Sequence, residues 1–108
     1  MSKVFITNRN LHDFSPAEYF GELVYLTDGE VSKFNTDKMY RILFPILEQA
    51  EELDYFLPTS LSILNIIAAG MLVARFGKVN ILVFDAEWKR YISRTIVFSG
   101  GSSGGKES

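Results

Sequence analysis

Along this chain, short runs of β-branched and aromatic residues alternate with longer runs whose apolar positions recur every three to four residues. Turn-forming residues separate them. The opening KVFIT, residues 3–7, reads as a first strand, ended by the polar trio Asn8, Arg9 and Asn10. Ser15-Pro16-Ala17-Glu18 then reads as a helix start. Serine stands at the cap, proline at the first helical position and glutamate three residues after the cap, with Gly21 placed to close the short helix. LVYLT, residues 23–27, is a second strand that stops at Asp28-Gly29. Asn35 or Thr36 can cap the next helix, on which Met39, Ile42, Leu43, Ile46, Leu47, Ala50 and Leu53 keep helical spacing. Pro45 inside it predicts a kink or a restart.

The most informative stretch is residues 57–84. A polar opening of Pro58, Thr59 and Ser60 leads into about sixteen mostly apolar residues, Gly77 breaks the run, and an apolar strand follows at residues 78–84. Residues 55–57 form a short strand or extended entry before it. Residues 85–89 read as a hairpin turn and residues 90–98 as a final strand. The order β–α–β–α–β–α–β–β predicts an α/β fold, a single compact domain with a mixed sheet of about five strands and helices packed on it. That domain spans residues 1–98. Residues 99–108, SGGSSGGKES, read as a flexible Gly/Ser-rich tail and are set aside from the fold.

Composition narrows the function classes. Nine Phe, five Tyr and one Trp make either the core or an interface rich in aromatic rings. A formal net charge of −2 argues against holding long duplex nucleic acid, which needs a basic excess, but leaves room for a small anion held by a few aimed donors. With no cysteine, disulfides, thiolate metal sites and cysteine nucleophiles are excluded. The N-terminus lacks a signal-peptide pattern, so a cytoplasmic protein is expected. Residues 60–76 are short for a membrane span and contain Ser62 and Asn65, so no membrane partner is expected.

Candidate chemistry is sparse. Gly70 and Gly77 precede Lys78, but their spacing of seven and the Val79 after the lysine fail the phosphate-loop pattern. Gly70 is then a close-packing position and Gly77 a helix stop. His12, the one histidine, lies in the polar loop after the first strand, where α/β sheets often hold ligands, with Asp13 beside it. Thr59, Ser60 and Ser62 either cap the apolar helix or join its free N–H groups in holding a phosphate. Glu48, Glu51, Glu52 and Asp54 look like the solvated end of a helix, and no metal-ligand pattern or G-x-S-x-G turn is found. Trp88, Lys89, Arg90, Tyr91 and Arg94 place aromatics among bases on the last hairpin. They could stack a base or meet a partner, or simply protect an edge.

KVFITN at the start, a Ser-bearing helix start about fifty residues later, Ser60, Asn65 and Gly70 on that helix, and KVNILV after it resemble a family of small archaeal-virus and phage proteins. That family includes the anti-CRISPR viral ring nucleases. The resemblance implies a compact α/β homodimer that binds a cyclic oligonucleotide, with Asn8, Thr59 and Ser60 at the matching ligand positions. The family's active members carry a histidine just before that serine. Here Leu57, Pro58 and Thr59 stand in that neighbourhood, so general acid catalysis loses its usual carrier. The expectation is therefore a viral-type protein that sequesters a small anionic or nucleotide ligand in counter-defence, without turnover, cofactor or metal. Asn8, Arg9, Thr59 and Ser60 would bind it, with His12, Trp88 and Tyr91 as possible contacts. The alternatives are an inhibitor or adaptor that grips a host protein through the aromatic and basic hairpin, and a metal-independent ring nuclease using His12.

Overall fold

The structure, a computed structural model, describes residues 2–30 and 35–98; the Gly/Ser tail expected at residues 99–108 lies outside them. The first β-branched run forms β1 (Lys3–Ile6), and the next forms β2 (Glu22–Tyr25) parallel to it. β3 (Tyr55–Leu57) pairs in parallel on the other side of β1, β4 (Lys78–Asp85) pairs in parallel with β3, and β5 (Arg90–Val97) returns antiparallel along β4. The five strands stand in the order β2-β1-β3-β4-β5. This is a doubly wound order in which the winding direction reverses between β1 and β3.

Alternation along the strands divides the interior in two. Phe5, Phe56 and Val79 face a core shared with Met39, Leu43 and Leu47 of α1 (Thr36–Leu47) and Leu64, Ala68 and Leu72 of α2 (Ser62–Phe76). Val4, Ile6, Leu57 and Leu82 face a smaller core with Phe14, Ala17 and Tyr91, under a 3-10 helix at Ser15–Tyr19. The helix expected at Ser15 is thus a single tight segment. Its entry is bonded by the side chain of Asp13, whose Oδ1 accepts the Ser15 N–H at 2.9 Å, and no side chain caps it. Gly21 ends it where the backbone passes so near Ser2 that an added Cβ would lie 2.1 Å from the Ser2 carbonyl oxygen. Only glycine fits that approach.

Asn35 caps α1 as expected, accepting the Lys38 N–H at 3.0 Å. The helix runs through Pro45 without a restart and ends at Leu47. Its end is fixed from outside: Arg75 on α2 donates to the carbonyls of Leu47 and Glu48 at 2.8 and 2.9 Å. Ala50 and Leu53, expected on this helix, lie beyond it, and Leu53 is exposed. Asp54 is no solvated helix end either. It is buried, and its carboxylate accepts the N–H groups of Lys3 and Glu51 at 2.9 and 2.8 Å.

Gly77 ends α2 in the left-handed conformation, φ 71°, donating its N–H to Val73. Gly70 does not serve close packing: a Cβ there would meet nothing within 4 Å. It opens instead onto an apolar groove between α1 and α2 of about 580 Å³, edged by Tyr40, Phe44 and Ile66. β4 carries apolar residues on both faces, and Val83 and Phe84 near its carboxyl end stay exposed. Among the described residues no helix is long and apolar enough to cross a membrane.

Candidate functional site

In doubly wound sheets the crevice outside the carboxyl ends of the strands, at the reversal of winding, is where ligands bind. Here that reversal lies between the ends of β1 and β3. β1 delivers Thr7, Asn8 and Arg9; the β3 to α2 connection delivers Thr59 and Ser60; α2 turns Asn65 inward; and Thr27 follows β2.

The floor is a polar network. Thr7 is fully buried and its hydroxyl lies 2.6 Å from Asn65 Oδ1, to which it donates. Asn65 Oδ1 also accepts the Thr59 N–H at 3.1 Å, while its Nδ2 donates to the Thr59 carbonyl at 2.6 Å. Both backbone groups of Thr59 are thereby tied to one side chain. This keeps residues 59 and 60 out of the helix and delays its start to Ser62. Thr27 Oγ1 lies 2.7 Å from the Thr7 carbonyl and from Asn8 Oδ1, linking β2 to the same floor. Asn8 is buried there.

Above the floor, α2 begins without a side-chain cap. Its N-cap residue is Leu61, and the first intrahelical bond runs from the Asn65 N–H to the Leu61 carbonyl at 3.0 Å. The amides of Ser62, Ile63 and Leu64 have no partner among the described residues. The capping expected of Thr59, Ser60 and Ser62 therefore shrinks to one long contact, in which Thr59 Oγ1 accepts the Leu61 N–H at 3.5 Å. Ser60 is exposed and makes no such bond. The helix thus presents unpaired N–H groups and hydroxyls, the chemistry that receives an anion.

The other expected site residues divide. Arg9 sits toward β2: its guanidinium lies 3.9 Å from the Tyr25 ring centroid and 3.7 Å from Asp28 Oδ2, on the solvent side. His12 is exposed, with its ring 4.9 Å from that of Phe14. Asp13 bonds Ser15, and the Ser15 N–H and hydroxyl hold its carboxyl below the usual carboxylate range. Asp13 Oδ1 is thus engaged by Ser15, and no hydrogen bond joins Asp13 to His12 among the described residues. Trp88 is exposed at the hairpin tip, whereas Tyr91 is buried in the smaller core. Its place on β5 turns it inward beside Phe84, with ring centroids 5.1 Å apart. Among the described residues no group of three His, Asp or Glu could hold a metal ion.

Three residues of the site were not singled out in the sequence: Thr7, Thr27 and, as an organiser, Asn65. One signal for Asn65 was there. A lone amide inside an apolar helical run must find partners once buried. Thr7 and Thr27 gave none, being ordinary strand residues until the sheet sets them side by side.

A family model described as phage Pam3 gp32-like protein matches residues 2–97. No curated protein and no solved structure gives a significant match. The family match supports the expectation of a small phage protein and lends nothing to the ring-nuclease resemblance. Reaching from the residue before β1 to the last residue of β5, it covers the whole sheet, and the chain belongs to the phage Pam3 gp32-like protein family.

Proposed function

We propose that this phage protein is a binding module that takes a small phosphate-bearing ligand, a nucleotide foremost, at the carboxyl ends of β1 and β3 and does not turn it over. The observation that carries the reading is the uncapped start of α2 at the reversal of winding. The amides of Ser62, Ile63 and Leu64 and the hydroxyls of Ser60 and Ser62 would receive the phosphate, favoured by the helix dipole. The Thr7–Asn65–Thr59 network would hold these donors in place before the ligand arrives, which lowers the ordering cost of binding. Arg9 would reach the ligand only by leaving Asp28, an exposed pairing that costs little to break. In an infected cell, withdrawing a nucleotide signal of host defence is the role such a site would serve.

Calorimetric titration with inorganic phosphate and with cyclic di-, tri- and tetranucleotides tests this. Ser60→Ala should weaken binding about fivefold, the worth of roughly one hydrogen bond near 1 kcal/mol, with an unchanged melting temperature. Ser62→Pro should do the same by removing one N–H at a helical position where proline is accepted. Native mass spectrometry of the mixtures should show the nucleotide bound intact. Heat-free titrations with the whole panel would sink the proposal, and linear products would overturn its lack of turnover. The adaptor alternative rests on a different surface, the open edge of β5.

A further inference from the structure

Among the described residues β5 closes one side of the sheet and pairs only with β4, so no described strand covers its outer edge. The ladder shows which groups it offers. The register runs one to one from Lys78 opposite Val97 to Asp85 opposite Arg90, and Phe98 donates its N–H to the Gly77 carbonyl at 2.8 Å. In an antiparallel pair, hydrogen-bonded and non-bonded positions alternate. Counting back from Phe98, the amides of Ile96, Arg94, Ile92 and Arg90 face β4. Those of Val97, Thr95, Ser93 and Tyr91 point outward.

Three observations describe what such an edge would take. First, residues 90–94 form one wall of a groove of about 520 Å³ whose other wall is Pro16, Tyr19 and Phe20 of the 3-10 helix segment. Second, the strand is basic and carries no acid: Arg90 and Arg94 lie on it and Lys89 precedes it. Neither arginine is ion-paired with a described residue. Arg94 donates to the Ser93 carbonyl at 2.8 Å and Arg90 lies 5.9 Å from the Trp88 ring centroid. Asp85, across the ladder from Arg90, spends Oδ1 on the Glu87 and Trp88 amides. Third, the register puts Arg90 and Arg94 on the sheet face of Ile81 and Val79, the α1/α2 side, and Tyr91 and Ser93 on the side of the 3-10 helix. A second copy of β5 is disfavoured, because antiparallel self-pairing gathers four arginines with no acid between them.

We propose that the open edge of β5 docks an extended acidic polypeptide segment of a partner protein, which adds to the sheet as a sixth strand. Outward amides and carbonyls of β5 supply the main-chain bonds. Acidic residues on one side of the added strand meet Arg90 and Arg94. Apolar residues on its other side pack against Tyr19 and Phe20. The period of two makes this a sequence rule for the partner: acidic and apolar residues in alternation. The surface is separate from the start of α2, so failure of either proposal leaves the other standing.

The test uses three fluorescent decapeptides, one alternating Glu with Val, one alternating Lys with Val, and one with the Glu and Val residues scrambled, together with single-stranded DNA of equal charge. Anisotropy should show the Glu/Val peptide binding at least about tenfold more tightly than any other probe, and more weakly as salt rises. Ser93→Pro should lower that affinity by about tenfold, since it removes an outward amide and leaves the β4 ladder intact. If Ser93→Pro does not fold, the surface variant Arg90→Glu/Arg94→Glu should reverse the preference toward the Lys/Val peptide. Amide exchange should slow at Ser93 and Thr95 on adding the Glu/Val peptide and stay unchanged at Arg94. Equal binding of the scrambled peptide or of DNA would overturn strand addition, as would unchanged exchange at Ser93 and Thr95. Self-association that protects those two amides without any peptide would assign the edge to a second copy instead.

Discussion

At the residue scale, one amide organises the candidate site. Asn65 satisfies Thr7, the Thr59 N–H and the Thr59 carbonyl together. Asn65→Ala would strip partners from groups that are buried or half-buried, and an unmet donor or acceptor costs about 1–3 kcal/mol. We expect a loss of about 2–3 kcal/mol in urea unfolding, and a loss below 1 kcal/mol would show that water replaces the amide. Tyr91 carries a second expectation. Burial raises its phenol above the ordinary 10.0, with the charge of Asp13 and then Tyr25 adding to the shift. The folded chain therefore keeps this proton after the unfolded chain has lost it. The stability it contributes is full below about pH 10 and is lost as pH climbs through the raised folded value. Tyr91→Phe keeps the ring packed and should flatten that alkaline decline. A variant that loses stability above pH 10 as steeply as the parent would remove Tyr91 as the cause.

At the scale of elements, the two helices differ in how they begin and in what they cover. α1 has the cap its sequence announces, whereas α2 stands next to two serines and uses neither. The difference lies in Asn65, six residues on from Thr59, which ties both backbone groups of Thr59 ahead of α2. Gly70 offers a clean measurement on the same helix. It is exposed, and a Cβ there meets nothing within 4 Å. Glycine inside a helix costs about 0.5–1 kcal/mol against alanine. Gly70→Ala should therefore raise stability by that amount in chemical denaturation. A decrease would mean that something in solution lies against the groove between α1 and α2.

At the scale of the whole molecule, stability should be graded across the sheet. β1 and β3 are flanked on both sides and buried on both faces, while β5 is an edge with most of its residues exposed. Native-state amide exchange should be slowest at Phe5, Ile6 and Phe56 and fast at the outward amides of Ser93 and Thr95. Slow exchange at Ser93 in the isolated, monomeric protein would contradict an open edge. The same gradient separates the two proposed surfaces. One lies where the packed strands β1 and β3 end, which suits a rigid ligand site; the other lies along a free backbone, which suits a partner that brings its own strand.

The amino-acid sequence determined the element order, the α/β class, a cap at Asn35 or Thr36 and the stop at Gly77. Each of these is written in local periodicity or in a residue's own conformational preference. It also marked Thr59 and Ser60, because small hydroxyl residues before an apolar helix are a local signal. The rest was decided when distant segments met. Tyr91 went inward because its position on β5 faces the smaller core, Asn8 because the segment after β1 meets Thr27, and Asp54 because it accepts the Lys3 and Glu51 amides. The site floor joins residues from β1, β2 and α2 that are up to 58 positions apart. No local pattern encodes such a meeting, since hydrogen bonds across a sheet end depend on strand order and register, which are fixed only as the two cores pack.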